Sequence, residues 1–180
     1  MEEQPKTLTS KRVYTGKIIN LRRDEIMIAG QSAVREIVEH PGGAAVLAAR
    51  DGHIYLVRQY RHPYHREILE VPAGKIEPGE EPGQTVAREL TEETGIKAKS
   101  LEAAGKLYPS PGYTDEVIHL FFTDDFTVSS GRHLDADEDV ALVCLPVTKV
   151  YRMVDAGEIT DAKTLVLLYK YRERLLTKGR

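Results

Sequence analysis

The chain has 180 residues, of which 41% are hydrophobic, a composition that suits one globular domain with a small appendage and excludes wholesale disorder. Its 25 Lys and Arg residues nearly balance 28 Asp and Glu residues, giving a net charge of -3, so no basic excess indicates nucleic acid or a membrane surface as a partner. The single cysteine, Cys144, cannot form an internal disulfide. With neither an apolar signal peptide nor a run of ~18 apolar residues, the sequence predicts a cytoplasmic protein.

The N-terminal part of the chain is expected to form β structure. Residues 1–11 are polar and are expected to be mobile. The runs VYTGKIINL (13–21) and EIMIAGQSAVREIVEH (25–40) are typical of strands, with a turn near Gly30. Their alternating apolar residues have no place in the compact unit that begins at AAVLAA, and an isolated hairpin is marginal in water. We therefore expect residues 1–42 to form a separate β segment that needs a partner, and residues 43–180 to form the main domain.

Strands and helices are mixed through the main domain. The runs AAVLAA (44–49) and HIYLVRQYR (53–61) flank an Asp-Gly pair, which predicts a hairpin, and ILEVPAG (68–74) adds a strand and a turn. A helix is predicted after Pro82 and before Gly95. VIHLFF (117–122) and VALVCLPV (140–147) follow as strands, and Thr148 and Asp161 are candidate caps of two further helices. The pattern predicts an α+β fold.

The predicted helix after Pro82 carries three like charges on one face. Each helix residue turns the chain by about 100°, so Glu89, Glu92 and Glu93 share roughly 100° of the surface, beside the apolar pair Val86 and Leu90. Like charges at these spacings repel. Two interpretations remain open on spacing alone. The face is either solvated, or it holds a hard cation such as Mg²⁺, which prefers oxygen ligands.

The residues around this helix resemble a known signature. Residues 74–96 match the Nudix box at each of its specified positions, which are Gly74, Glu80, Arg88, Glu89, Leu90, Glu92, Glu93, Gly95 and Ile96. The resemblance implies the Nudix fold, a mixed β-sheet sandwiched between helices, here with an N-terminal β-hairpin subdomain. It also implies a loop–helix–loop that holds a divalent metal against a diphosphate, and it favours the metal interpretation of the acidic face.

The resemblance assigns metal ligands residue by residue. Glu89 and Glu93 are implied as direct ligands, Glu92 as a shared or outer ligand with a catalytic role, and the backbone carbonyl of Ala73 as a further ligand. Mg²⁺ is the expected cation, with Mn²⁺ or another divalent ion in its place as the alternative. Arg88 and Glu80 are expected to brace the loop.

Further motifs are similar to those of the ADP-ribose pyrophosphatase branch of the family. They are REIVEH near the N-terminus, VRQYR before the box, EVPAG leading into it, and YPSPGYTDE beyond it, whose Pro111 lies fifteen residues past Ile96. The branch implies hydrolysis of ADP-ribose to AMP and ribose 5-phosphate. The alternatives are another nucleoside-diphosphate sugar or a dinucleotide as substrate, or a Nudix domain that only senses ADP-ribose.

The branch also implies residues outside the box. Its general base lies in an acidic loop matched by HLDADEDVALV (133–143), where Glu138 is the candidate and Asp137 and Asp139 are rivals. The other implied roles concern the substrate. Arg61, or Arg58 if the strand register differs, would contact the diphosphate; Ser110 and Glu116 would lie near the terminal ribose; Arg35 and Glu36 would reach the adenosine half from the partner subunit of a homodimer that exchanges residues 1–42.

Overall fold

The structure is a computed structural model that describes residues 4–129 and 140–178. The chain divides into two compact units. The first comprises Met1–Gly42 and Tyr108–Val117, and the second comprises Gly43–Leu107 and Ile118–Arg180. The segment from Tyr108 to Val117 therefore belongs with the N-terminal strands, which the sequence had not indicated.

The first unit contains a three-stranded antiparallel sheet with the order β1 (Lys6–Thr15), β2 (Asn20–Ile28) and β3 (Gln31–Glu39). The turn between β2 and β3 places Ala29 and Gly30 at positive φ, as expected. The prediction that residues 1–11 are mobile is wrong from Lys6 onward, because Lys6 pairs with Met27 and the strand continues from there. The side chains of residues 6–12 are exposed and mostly polar, and this part of the strand was not predicted because only its backbone pairing with β2 defines it. The predicted strand over residues 13–21 is divided by a turn in which the Gly16 N–H donates to the Ile19 carbonyl.

The 108–117 segment joins the first unit through the end of β3. The Val38 N–H donates to the Tyr113 carbonyl at 2.7 Å, and the Asp115 N–H donates to the Val38 carbonyl at 3.1 Å. The His40 N–H donates to the Asp115 carboxylate at 2.9 Å. These bonds fix the segment beside β3.

The second unit contains nine strands and four α-helices among its described residues. The strands are β4 (Gly43–Arg50), β5 (His53–Arg61), β6 (Arg66–Glu70), β7 (Ala73–Lys75), β8 (Ile96–Ala98), β9 (Glu102–Leu107), β10 (Ile118–Thr123), β11 (Phe126–Val128) and β12 (Val140–Pro146). The helices are α1 (Pro82–Thr94), α2 (Val147–Asp155), α3 (Ala162–Lys170) and α4 (Arg172–Lys178). None of the helices in the described part of the chain has the length and apolar character needed to span a membrane.

The main sheet is mixed and has the order β12-β5-β4-β10-β9, with β6 paired to β5 and β7 paired to β4. The β4–β10 pair is parallel, and the other pairs are antiparallel. The predicted hairpin between β4 and β5 is confirmed, with Asp51 and Gly52 both at positive φ in its turn. Strands β8 and β11 form a separate two-stranded sheet.

Strand β4 is buried on both faces, which is why its sequence is continuously apolar. Ala45 and Leu47 belong to one core cluster, which includes Val150 of α2 and Leu167 of α3. Residues of β4 that point the other way belong to a second cluster with Val86 and Leu90 of α1, among them Val46. The sheet therefore lies between α1 on one side and the C-terminal helices on the other, which confirms the predicted α+β architecture of a mixed sheet sandwiched between helices.

The predicted boundary or capping residues are confirmed for two of the three predicted helices. Helix α1 begins at Pro82 and ends before Gly95, which is at φ 73°. Helix α3 is capped by Asp161, whose carboxylate accepts from the Thr164 N–H at 2.9 Å. The expectation that Thr148 caps α2 is wrong, because that helix begins at Val147 with Pro146 at the cap.

Candidate active site

Helix α1 carries the acidic residues into the interior of the second unit. Val86 and Leu90 are fully buried against β4, which fixes the rotation of the helix. Glu89 and Glu93, on the adjoining face, are therefore drawn inward and are only 9% and 2% exposed. The Glu92 side chain stays 35% exposed at the margin. Two of three clustered carboxylates are buried, which a merely solvated helix face would not produce.

The two buried carboxylates converge on the backbone of Ala73 and Gly74. The Ala73 N–H donates to Oε2 of Glu93 at 3.2 Å. Glu89 lies over Gly74 so closely that a Cβ added there would be 1.8 Å from its Oε1. The implied ligand Ala73 and the implied ligands Glu89 and Glu93 are thus brought together by the pairing of β7 with β4 and the packing of α1.

Arg88 supplies positive charge among these carboxylates. Its Nη1 donates to Oε1 of Glu89 at 2.8 Å and to Oε2 of Glu92 at 2.9 Å. Its Nε and Nη2 donate to the two carboxylate oxygens of Glu80 at 2.9 and 3.1 Å. The bidentate pair with Glu80 is the largest cause of the raised pKa of Arg88, and together with a hydrogen bond from Thr85 it lowers the pKa of Glu80 to about 2. Arg88 therefore links the loop before α1 to the acidic face.

The oxygen atoms of the three carboxylates and of the Ala73 carbonyl are the kind that a hard divalent cation binds. In this structure these oxygens do not all face one common position. Among residues 4–129 and 140–178, no three His, Cys, Asp or Glu side chains form a group that could hold a metal ion. The reason is local, since Glu89 and Glu92 both turn toward Arg88. The side chains and the Ala73 carbonyl offer only oxygen donors, the kind that Mg²⁺ and Mn²⁺ take. The missing Cβ of Gly74 leaves room for Glu89 against the Gly74 backbone.

Arg61 lies at the end of β5, electrostatically close to this site. Its Nε and Nη2 donate to the Glu70 carboxylate at 2.6 and 2.9 Å. Its pKa is raised, chiefly by that hydrogen bond, and Glu93 is among the charges that raise it further. Arg58 is three residues away on the same strand and so faces the other side of the sheet. The proximity to Glu93 favours Arg61 over Arg58 as the diphosphate contact.

The remaining predicted substrate residues lie in the first unit. Ser110 and Glu116 line one pocket of about 180 Å³, together with His40 and Tyr113. Arg35 and Glu36 are exposed neighbours on β3, and the Arg35 guanidinium donates only to the Val34 carbonyl among the described residues. The candidate bases Asp137, Glu138 and Asp139 lie outside the described residues.

Two further residues of the second unit were not predicted from the sequence. Glu70 is 3% exposed and also accepts a hydrogen bond from Lys163, which is 9% exposed. Burial alone would raise the pKa of Glu70, but the hydrogen bonds from Arg61 and the charge of Lys163 outweigh it and lower that pKa. The signal available in the sequence was a charged residue inside the apolar run ILEVPAG.

The close approach of Glu89 to Gly74 yields a test. We expect Gly74→Ala to lower kcat/KM by about 10- to 100-fold, because the new methyl group must displace Glu89, which the resemblance implies as a cation ligand. Unfolding temperature should change little, since the displaced atoms are the end of a flexible side chain. The matched control is Gly83→Ala, whose added methyl group meets nothing within 4 Å. Equal activity of both variants and the wild type would show that the placement of Glu89 is unimportant.

The chain is similar to known proteins over most of its length. The ADP-ribose pyrophosphatase of Bacillus subtilis (strain 168) is 42% identical over 164 residues, which cover 89% of this chain and 89% of that protein. The methanol dehydrogenase activator of Bacillus methanolicus is 37% identical over 166 residues, covering 91% of this chain and 90% of that protein. Each alignment therefore spans most of both proteins.

A solved structure and a family model extend the comparison. The crystal structure of an ADP compounds hydrolase superposes with a TM-score of 0.84 over 100% of this chain and 98% of the other, at 24% identity, which establishes a shared fold. The model of the NUDIX domain matches residues 38–168. A domain match of this extent, together with relatives so similar over most of their length, shows that the chain belongs to the Nudix family.

Proposed function

We propose that the protein hydrolyses the diphosphate bond of ADP-ribose to AMP and ribose 5-phosphate, with Mg²⁺, or Mn²⁺ or another divalent cation, as cofactor. The observation that carries the proposal is the convergence of Glu89 and Glu93 on the Ala73–Gly74 backbone, with Arg61 bound to Glu70, which lies three positions before Ala73 in the chain. The name of the Bacillus subtilis relative supports the choice of ADP-ribose. The lone cysteine suits a reducing compartment, and we propose the cytoplasm.

The residues of α1 and β7 would hold the cation. Glu89, Glu93 and the carbonyl of Ala73 would bind it directly, and Glu92 would share in binding from the more exposed margin. A bound divalent cation would neutralise diphosphate oxygens, lower the pKa of a coordinated water and orient that water for attack on phosphorus. For Glu89 and Glu92 to turn to the cation, Nη1 of Arg88 must release them, while the bond of Arg88 to Glu80 can keep the loop in place.

The other proposed residues bind the substrate and move a proton. Arg61 would donate to the diphosphate, for which a guanidinium is suited by its paired donors. Ser110 and Glu116 would contact the terminal ribose, and their shared pocket supports a common role. Glu138 would take the proton of the attacking water, with Asp137 and Asp139 as the rival bases.

Product analysis tests the reaction. The pure protein is incubated with Mg²⁺ and, separately, with ADP-ribose, other nucleoside-diphosphate sugars and dinucleotides, and the products are identified by chromatography and mass spectrometry. We expect AMP and ribose 5-phosphate from ADP-ribose at the highest kcat/KM of the set. A higher value for another compound would assign that substrate instead. Binding of ADP-ribose without turnover would identify a sensing module.

We further propose a homodimer in which residues 1–42 are exchanged between subunits. The three strands of the first unit and the turn between β1 and β2 expose many large apolar side chains, which are Leu8, Val13, Tyr14, Ile18, Met27, Ile28 and Val34. Exposed apolar surface of this extent is typical of a protein interface. A second copy of the chain could bury it in a symmetric dimer. The exchange would bring Arg35 and Glu36 to the partner's substrate.

A mixing experiment tests both the dimer and the shared site. Arg35→Ala and Glu93→Gln are each expected to be nearly inactive, and the two are combined, dissociated and reassociated. Random pairing makes half of the dimers mixed, and each mixed dimer holds one site without either lesion, so about a quarter of wild-type activity should return. Analytical ultracentrifugation confirms the dimer and its subunit exchange. Exchange without recovered activity would refute the shared site, and a monomer would refute the dimer.

A further inference from the structure

We propose that Glu70 and Lys163 are positioning residues for Arg61: they fix one edge of its guanidinium so that the other edge can bind the diphosphate. This inference rests on the proposed function, in which Arg61 contacts that group. Glu70 and Lys163 belong to β6 and α3 respectively, and neither lies within residues 74–96.

The geometry at Arg61 divides its donors into two sets. A guanidinium has five N–H donors in a fixed plane. One from Nε and one from Nη2 bind the two oxygens of the Glu70 carboxylate at 2.6 and 2.9 Å. The remaining donors, on Nη1 and the outer side of Nη2, have no hydrogen-bond partner within residues 4–129 and 140–178. Because Glu70 is only 3% exposed, its own carboxylate cannot reorient freely, so the free edge of Arg61 has a set direction.

Lys163 balances the buried charge of Glu70. Its ammonium group donates to Oε2 of Glu70 and, at 2.8 Å, to Oδ1 of Asp161. The other oxygen of Asp161 caps α3 through the N–H and hydroxyl of Thr164 at 2.9 and 2.6 Å. Without Lys163, Arg61 would be the only cation bound to the Glu70 carboxylate. That carboxylate would then neutralise more of the positive charge of Arg61, and Arg61 would attract an anionic substrate less strongly.

The same contacts fix the backbone next to the proposed cation site. Only Val71 and Pro72 separate Glu70 from Ala73. The Val71 N–H donates to the buried hydroxyl of Thr164 at 2.8 Å, and the Ala73 N–H donates to Glu93 at 3.2 Å. One short segment thus holds both the carboxylate that orients Arg61 and the carbonyl proposed to bind the cation.

Stability alone does not account for this arrangement. A buried carboxylate between two cations costs desolvation of all three charges, and apolar replacements of such groups are often equally stable. Apolar side chains in place of Glu70 and Lys163 could not hold the Arg61 guanidinium in one orientation. Glu70 lies three positions before Ala73, whose N–H donates to Glu93, and this short connection places that function beside the proposed site.

A double-mutant cycle tests the inference. The variants are Glu70→Gln, Arg61→Ala and the combination of both. We expect Glu70→Gln to lower kcat/KM for ADP-ribose by about 10- to 100-fold, mostly through KM, as for other residues that act on a ligand-binding group. On the Arg61→Ala background the same substitution should cause no further loss. Binding of inorganic diphosphate with Mg²⁺, measured by titration calorimetry, repeats the cycle without turnover.

Controls separate positioning from folding. Glu102→Gln removes a carboxylate from another arginine pair of the same unit, with Arg174 at 2.7 Å, and should leave kcat/KM unchanged. Lys163→Met should lower diphosphate affinity, and Lys163→Arg should recover part of the loss. Full activity of Glu70→Gln, or equal losses on both backgrounds, would overturn the inference. Full activity of Arg61→Ala would also overturn the inference. In each of these cases, hydrolysis of ADP-ribose by the wild type would still support the proposed function.

Discussion

Replacing Glu93 with glutamine is expected to lower kcat by about 10³-fold or more while the protein still folds, because loss of a cation ligand forfeits several kcal/mol of transition-state stabilisation. Glutamine has nearly the same shape as glutamate, and its carbonyl can still accept the hydrogen bond that the Ala73 N–H now donates to Glu93. What it lacks is the negative charge. The substitution therefore separates the charge of Glu93 from its packing.

Stability should respond in the opposite direction to activity. Glu93 is 2% exposed and shares the face with Glu89 and Glu92, so removing its charge relieves repulsion between carboxylates. We expect an unfolding temperature equal to or above that of the wild type without metal, and a smaller increase than the wild type shows on adding Mg²⁺.

The matched control is Glu77→Gln, which removes an exposed carboxylate from the loop before the same helix. It should change neither kcat nor the thermal response to Mg²⁺. If Glu93→Gln keeps wild-type turnover with Mg²⁺, the assignment of the acidic face of α1 to a cation is wrong.

Much of the fold was predictable because local signals and burial agree. The Asp51-Gly52 pair predicts a hairpin turn, and the spacing of Val86 and Leu90 predicts a helix with one apolar face. Tertiary packing stabilises the same turn and buries the same helix face. Residues 6–12 of β1 were missed because their side chains are exposed and carry no burial pattern. Only hydrogen bonds with β2 define this part of the strand. The start of α2 was misplaced because a proline, rather than the nearby threonine, stands at the cap.

The candidate site was predictable only in part. Helical spacing places the three carboxylates on one face, yet it does not show that Arg88 lies among them and binds two of them. The pairing of Glu70 with Lys163 spans 93 residues and depends on the docking of α3 beside β6. No local pattern reports a contact of that separation, since it arises from the tertiary fold alone.

Replacing Glu138 with glutamine is expected to lower kcat by about 10²–10⁴-fold, the range for loss of a general base, with little change in substrate affinity. Glu138 lies outside the described residues, but the strand that follows it is informative. Val140, at the start of β12, pairs with Gln59, so the chain enters this strand at the end of β5 that carries Arg61. Val140, the first described residue after the acidic segment, thus lies at the same end of the sheet as the proposed diphosphate contact.

The neighbouring acids provide the matched controls. Asp137→Asn and Asp139→Asn remove one negative charge each from the same segment, so a general electrostatic effect would appear in all three variants, whereas loss of the base would appear in one. The pH profile of kcat decides between the two, because a missing base abolishes the acid limb of the profile and a lost surface charge only shifts it. A large kcat effect at Asp137 or Asp139 would move the base to that residue. An effect of Glu138→Gln confined to KM would make Glu138 a residue that binds substrate.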